Sequence, residues 1–76
     1  MLQEVAPRIV VDPAVRSGRP VIQGTRVPVE LVIAKLAGGT SANEVAEEYA
    51  LTVEDAQAAL GYAARLVPGE HVRALP

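Results

Sequence analysis

Four arginines in the first half of the chain, Arg8, Arg16, Arg19 and Arg26, are the side chains best suited to chemistry with a partner. A guanidinium stays charged at any physiological pH. Its planar fork of donors matches a carboxylate or a phosphate two bonds at a time. Arg outnumbers Lys six to one in the chain, which favours geometry-specific pairing over diffuse attraction. Residues 1–38 carry five basic against three acidic side chains, a sum of +2; residues 39–76 carry two against six, a sum of −4. The Arg-rich half is thus set against an acidic one, and the overall net charge is −2. That balance counts against a general nucleic-acid binder, because such domains are usually basic.

Catalytic sets are hard to assemble from the rest. There is no Cys, which excludes disulfides, thiolate zinc sites, iron–sulfur clusters and thiol catalysis. The single His, His71, falls in the C-terminal tail. Ser17, Ser41 and Thr52 have no His within reach, and Ser41 and Thr52 read as helix caps. Glu44 has a capping role, and Glu47 and Glu48 flank an apolar stripe as a solvated face. Gly18, Gly24, Gly38 and Gly39 are separated punctuation rather than a phosphate cradle. Two tyrosines, Tyr49 and Tyr62, cannot build a base-stacking platform. The expectation is a protein that is not an enzyme, with no cofactor, no metal and no small-molecule substrate.

The elements that must position the arginines follow from local patterns. The 76 residues suit one small domain, with strands and a turn at 8–27, three helices at 28–66 and a tail at 67–76. Arg8-Ile9-Val10-Val11-Asp12 is a β-branched run closed by Pro13, the pattern of an edge strand. Ser17-Gly18-Arg19-Pro20 is turn chemistry, and Val21-Ile22 is a second short strand ended at Gly24, where a positive φ is expected. A lone hairpin is marginal in water, so these strands want helix cover or a partner chain's strands. Pro28 opens a helix whose apolar face is Val29, Val32, Ile33 and Leu36, stopped by Gly38-Gly39. Ser41 and Glu44 form a capping-box pattern for a helix at about 42–49, faced by Ala42, Val45, Ala46 and Tyr49. Thr52 caps a third helix at about 53–66, with Val53, Ala56, Ala59, Leu60 and Ala63 as its buried face. The fold class is therefore mostly α with a short N-terminal β-hairpin.

Short turns between the last two helices suggest a helix-turn-helix arrangement. As a recognition helix, however, the third would present Glu54 and Asp55 to phosphate, and only Gln57 resembles a base reader. If DNA is touched, the Arg-bearing N-terminal segment is the better candidate. No run approaches the roughly 20 apolar residues of a membrane span. The N-terminus lacks a basic region followed by an apolar one, so no membrane association and a cytoplasmic location are expected. A chain this short buries only about 60% of its unfolded surface, so a homodimer is expected, with the strands used in dimerisation.

The stretch Gly18-Arg19-Pro20-Val21-Ile22-Gln23-Gly24-Thr25-Arg26-Val27-Pro28-Val29 resembles the core signature of a bacterial domain-of-unknown-function family, number 433. Gly18, Pro20, Ile22, Gly24, Thr25, Arg26 and Pro28 carry the likeness. Gly39 followed by Ser41, the acidic helix up to Tyr49, Leu51-Thr52 with Glu54-Asp55, and Ala58-Ala59-Leu60 with Tyr62 extend it over residues 9–66. The resemblance implies a homeodomain-like trihelical fold and a role like that of type II antitoxins, some paired with PIN-type ribonucleases. It brings no catalytic residues. Arg26 is the best functional candidate of the core, with pairing to Glu30 one helical turn on as its structural alternative. The leading reading is a homodimeric antitoxin-like module that masks a toxin ribonuclease through Arg8, Arg16, Arg19 or Arg26 and binds operator DNA weakly. A stand-alone helix-turn-helix regulator and a dimerisation module of another partner are the alternatives.

Overall fold

A computed structural model describes residues 2–66. The elements are β1 (Gln3–Ala6), β2 (Ile9–Val11), β3 (Val21–Ile22), α1 (Val29–Ala37), α2 (Ala42–Tyr49) and α3 (Val53–Arg65). The tail expected at 67–76, with His71 and Arg73, lies outside the described residues.

The strands form one antiparallel sheet in the order β1-β2-β3. Residues 8–12, expected as an edge strand, hold the central one instead, and β1 takes the edge. Nothing local marks Gln3-Glu4-Val5-Ala6 as a strand, since Val5 is its only β-branched residue. It is made a strand by pairing. The two-residue Pro7-Arg8 turn folds it back so that Ala6 meets Ile9 and Glu4 meets Val10, with a bulge between Glu4 and Ala6. Arg8 is therefore in a turn rather than on a strand, at φ 66. Proline followed by a positive-φ residue is the combination a type II turn uses.

Side chains alternate across the sheet, and this divides its roles. Ile9 pairs with Ile22 on the face that meets the helices. Val10 pairs with Val21 and points the other way. The inner pair joins Val29, Val32, Val45, Ala56 and Ala59 in the core. Each fully buried Ile or Val contributes about 1.5–3 kcal/mol. The alanines of α3 let it lie close to α1 and α2.

The helix boundaries follow their signals. Pro28 stands immediately before α1, and Gly38-Gly39 ends it: Thr40 N–H donates to Lys35 C=O at 3.1 Å and Gly39 N–H to Leu36 C=O at 3.1 Å. That pair of bonds is a Schellman motif, which needs the positive φ of Gly39. Ser41 with Glu44 and Thr52 with Asp55 both close capping boxes. Leu60, expected in the core, is 47% exposed. The inward stripe of α3 runs through Ala56 and Ala59, with Tyr62 packed at its margin, and Leu60 falls one position beyond it. Among the described residues no helix is long and apolar enough to cross a membrane.

Candidate functional site

The outer face of the sheet is covered by two connections rather than by helices. The first follows β2. The Asp12 carboxylate accepts from Ala14 N–H at 2.9 Å and the Asp12 carbonyl from Val15 N–H at 2.8 Å. Arg16, Ser17 and Gly18 then have φ 52, 56 and 82 in succession. Only glycine enters this left-handed region freely; each of the other two stores roughly 1–2 kcal/mol.

The second connection joins β3 to α1, and the motif residues build it. Ile22 N–H donates to Val27 C=O and Thr25 N–H to Ile22 C=O, both at 3.0 Å. The Thr25 hydroxyl donates to Ile22 C=O at 2.8 Å and accepts from Val27 N–H at 3.0 Å. Gly24 supplies the positive φ of 80 that this tight turn requires. Pro20 C=O accepts from Val29 N–H at 3.0 Å, and Pro28 bridges back to Val21. Pro20, Ile22, Gly24, Thr25 and Pro28 thus shape backbone. Arg26 is the exposed side chain they present.

Between these connections lies a groove of about 600 Å³. Its floor is Val10 and Val21, and Leu2, Val15, Gly24, Thr25, Asp12 and Arg26 line it. Leu2 and Val15 carry no sequence signal that marks them for such a place.

The four arginines separate into two kinds. Arg8 is a clamp: its N–H donates to the Glu4 carboxylate at 3.2 Å, its carbonyl accepts from Gln23 N–H at 2.8 Å, and its guanidinium pairs with Asp55 at 3.0 Å. Those contacts tie β1, the loop after β3 and α3 together and hold its strained φ. Arg19 pairs with Glu30 at 2.6 Å. The Glu30 partner considered for Arg26 therefore belongs to Arg19. Arg16 Nε donates to the Arg26 carbonyl at 3.2 Å, which brings these two residues together beside the groove. Among the described residues neither Arg16 nor Arg26 forms an ion pair.

Two carboxylates are tuned, and both are at helix starts. Burial raises the Asp55 pKa, but the Thr52 N–H, the Arg8 guanidinium and the Thr52 hydroxyl together hold it below the usual carboxylate range. The Ser41 N–H, then its hydroxyl, lowers that of Glu44. Both are structural roles. The first turn of α3 thus spends Asp55 on Arg8 and its cap and leaves Glu54 and Gln57 exposed, a poor surface for a phosphate backbone. Among the described residues no group of His, Asp or Glu is placed to hold a metal ion.

The family described as Protein of unknown function (DUF433) matches residues 9–63. The chain belongs to the DUF433 family. The match takes in β2, β3 and most of the helical part and leaves β1 outside it. Among solved structures, one titled X-ray crystal structure of Rv2018 from Mycobacterium tuberculosis is 35% identical with a TM-score of 0.64. The likeness covers 68% of this DUF433 chain and 24% of that one, so the chain spans about a quarter of that protein's length. No curated protein compared with the chain matches it.

Proposed function

We propose that this DUF433 chain is a non-enzymatic, homodimeric binding module of antitoxin type, which masks a PIN-type ribonuclease by offering Arg16 and Arg26 to its carboxylates. The observation that supports this reading is the sorting of the arginines. Arg8 and Arg19 have intramolecular carboxylate partners, whereas Arg16 and Arg26 adjoin an apolar-floored groove without one among the described residues. A PIN-type site holds its divalent metal with clustered carboxylates. A guanidinium fork that pairs with them competes with the metal directly. Leu2, 55% exposed, and half-buried Val15 line the groove and offer apolar area beside the charges, the usual composition of a partner anchor with a polar rim.

The test is a tagged pull-down of the full chain from its native lysate, with and without nuclease, followed by binding measurements on the purified partner. A stoichiometric ribonuclease with a clustered-carboxylate site, retained after nuclease, is the expected result. Arg26→Ala then weakens its binding about tenfold or more with an unchanged melting temperature, and Arg26→Lys restores only part of the loss. Recovery of DNA, or of proteins lost on nuclease treatment, overturns the reading in favour of a DNA-binding regulator. Loss of folding in Arg26→Ala gives Arg26 a structural role.

A further inference from the structure

Helix α3 turns one face to the core and leaves the other bare. Glu54, Gln57, Leu60, Gly61, Ala64 and Arg65 are all exposed, and the helical repeat lines them up as one continuous stripe. Gln57 and Ala64 run down its middle, Leu60 lies on one flank, and Glu54, Gly61 and Arg65 lie on the other. We propose that this stripe packs antiparallel on the same stripe of a second copy, across a two-fold axis perpendicular to both helices. The dimer contact then lies on α3 rather than on the strands to which the sequence pointed. It rests on the homodimeric part of the reading above and not on the ribonuclease.

The stripe is complementary to itself. Glu54 and Arg65 stand at opposite ends of α3, about three turns apart, and so share a flank. A two-fold axis level with the midpoint between Ala59 and Leu60 sets each Glu54 beside Arg65 of the other copy. The axis also keeps the shared flank on one side, so both ion pairs form together. Neither Glu54 nor Arg65 has an ion-pair partner among the described residues of its own chain. The same register brings Leu60 against its own image and sets Gln57 between Gly61 and Ala64 of the other copy. Only opposite charges meet, and they meet at the rim, where interfaces carry them.

Two residues in the stripe have no explanation within the single chain. Among the large apolar side chains of the three helices, Leu60 is the exposed one, at 47%. Gly61 weakens a helix interior relative to alanine, yet a Cβ there would meet nothing within 4 Å. The room it leaves is on the outside, where a second helix would come close. Pairing of like faces closes at two copies. One helix pair is a small contact, so the dissociation constant is expected to be of the order of micromolar.

The test is sedimentation of the full chain and of charge-reversed variants over a range of concentration. Glu54→Arg and Arg65→Glu each turn both ion pairs into repulsions and are expected to weaken the homodimer about tenfold. Mixed together, the two variants restore both attractions and are expected to form a heterodimer about as tight as the parent. A folding defect in either variant cannot produce that recovery. The chain has no Cys, so Leu60→Cys supplies a single thiol beside the axis, and it is expected to link to its own image under mild oxidant. A monomer at every concentration overturns the homodimeric reading and this contact with it. A dimer that links through Val5→Cys on β1 while Leu60→Cys stays unlinked, or whose variants recover nothing on mixing, overturns the α3 contact alone.

Discussion

The two faces of this small sheet are made of nearly the same material and do different things. Ile9 and Ile22 are fully buried under α1, α2 and α3; Val10 and Val21 are 2% exposed, yet they floor an open groove. On the inner side, cover comes from amphipathic helices with closed caps. On the outer side it comes from two loops, the first strained at Arg16 and Ser17, that carry the two arginines with no ion pair among the described residues. Burial fraction alone does not separate core from site. The separation lies in what does the burying: helices that pack, or loops that hold a cleft open.

The largest expected effect tests whether this distinction is energetic. Ile22→Ala removes core volume at a place the helices cannot collapse onto, and it costs about 2–5 kcal/mol. A domain of this size has only about 5 kcal/mol to lose, so the variant keeps about 3 kcal/mol at most and is half unfolded at room temperature at the upper end of that cost. Val21→Ala opens into the groove, where the loops and water adjust, and costs about 1–2 kcal/mol. Urea midpoints measure both. If Val21→Ala is as damaging as Ile22→Ala, after about 0.8 kcal/mol is allowed for the extra methylene, the outer face is a second core and not a cleft.

A smaller effect separates the tied arginine from the free one. Asp55 caps α3 and pairs with Arg8 across 47 positions of chain. Asp55→Asn loses the ion pair and weakens the cap, for about 1–2 kcal/mol, whereas Arg26→Ala leaves stability unchanged. The pH dependence has a definite sign. Folding lowers the pKa of Asp55 and of Glu44. The stability they contribute is present above the ordinary carboxylate range and is lost as pH falls through it, below about pH 4. Urea midpoints followed from neutral pH downward should fall in that window, and less steeply in Asp55→Asn. An equal slope in the two proteins would place the acid sensitivity elsewhere.

The same division governs how much could be read from sequence. The inner side was legible because its signals are local. Ser41 and Glu44, Thr52 and Gly38-Gly39 each mark a helix end, and α2 runs over the residues expected of it. The exposure of Leu60 escapes a reading of the sequence because a stripe of alanines leaves the angular width of the buried face undefined. The outer side was legible only in part. Gly24 announced a positive φ, and Arg26 was singled out as a charge that the turn does not need. The strand status of Gln3–Ala6 depends on β2, the clamp at Arg8 depends on α3, and the approach of Arg16 to Arg26 depends on three successive left-handed residues. None of these is encoded within a window of a few residues. Arg8 and Arg19 looked equivalent to Arg16 and Arg26 for that reason: ion pairing across the fold, not residue type, tells them apart.

The smallest effect compares strain on the two sides. Ala50, which ends α2, sits at φ 57 and ψ 42, and Ser17 beside the groove at φ 56 and ψ 34. The two backbones are alike, and only Ser17 adjoins the candidate site. Glycine at either position removes the Cβ clash and adds freedom to the unfolded chain, for a net gain of about 0.5–1 kcal/mol. Ala50→Gly is expected to raise the urea midpoint and leave partner binding unchanged. Ser17→Gly is expected to raise it similarly and to weaken binding severalfold, because the loop that holds Arg16 beside Arg26 loses its preorganisation. If both variants bind as the parent does, the strain at Arg16 and Ser17 is a consequence of the short connection and has no part in recognition. If only Ser17→Gly loses affinity while gaining stability, the outer face holds its arginines in place at the expense of the fold, and the inner face does not.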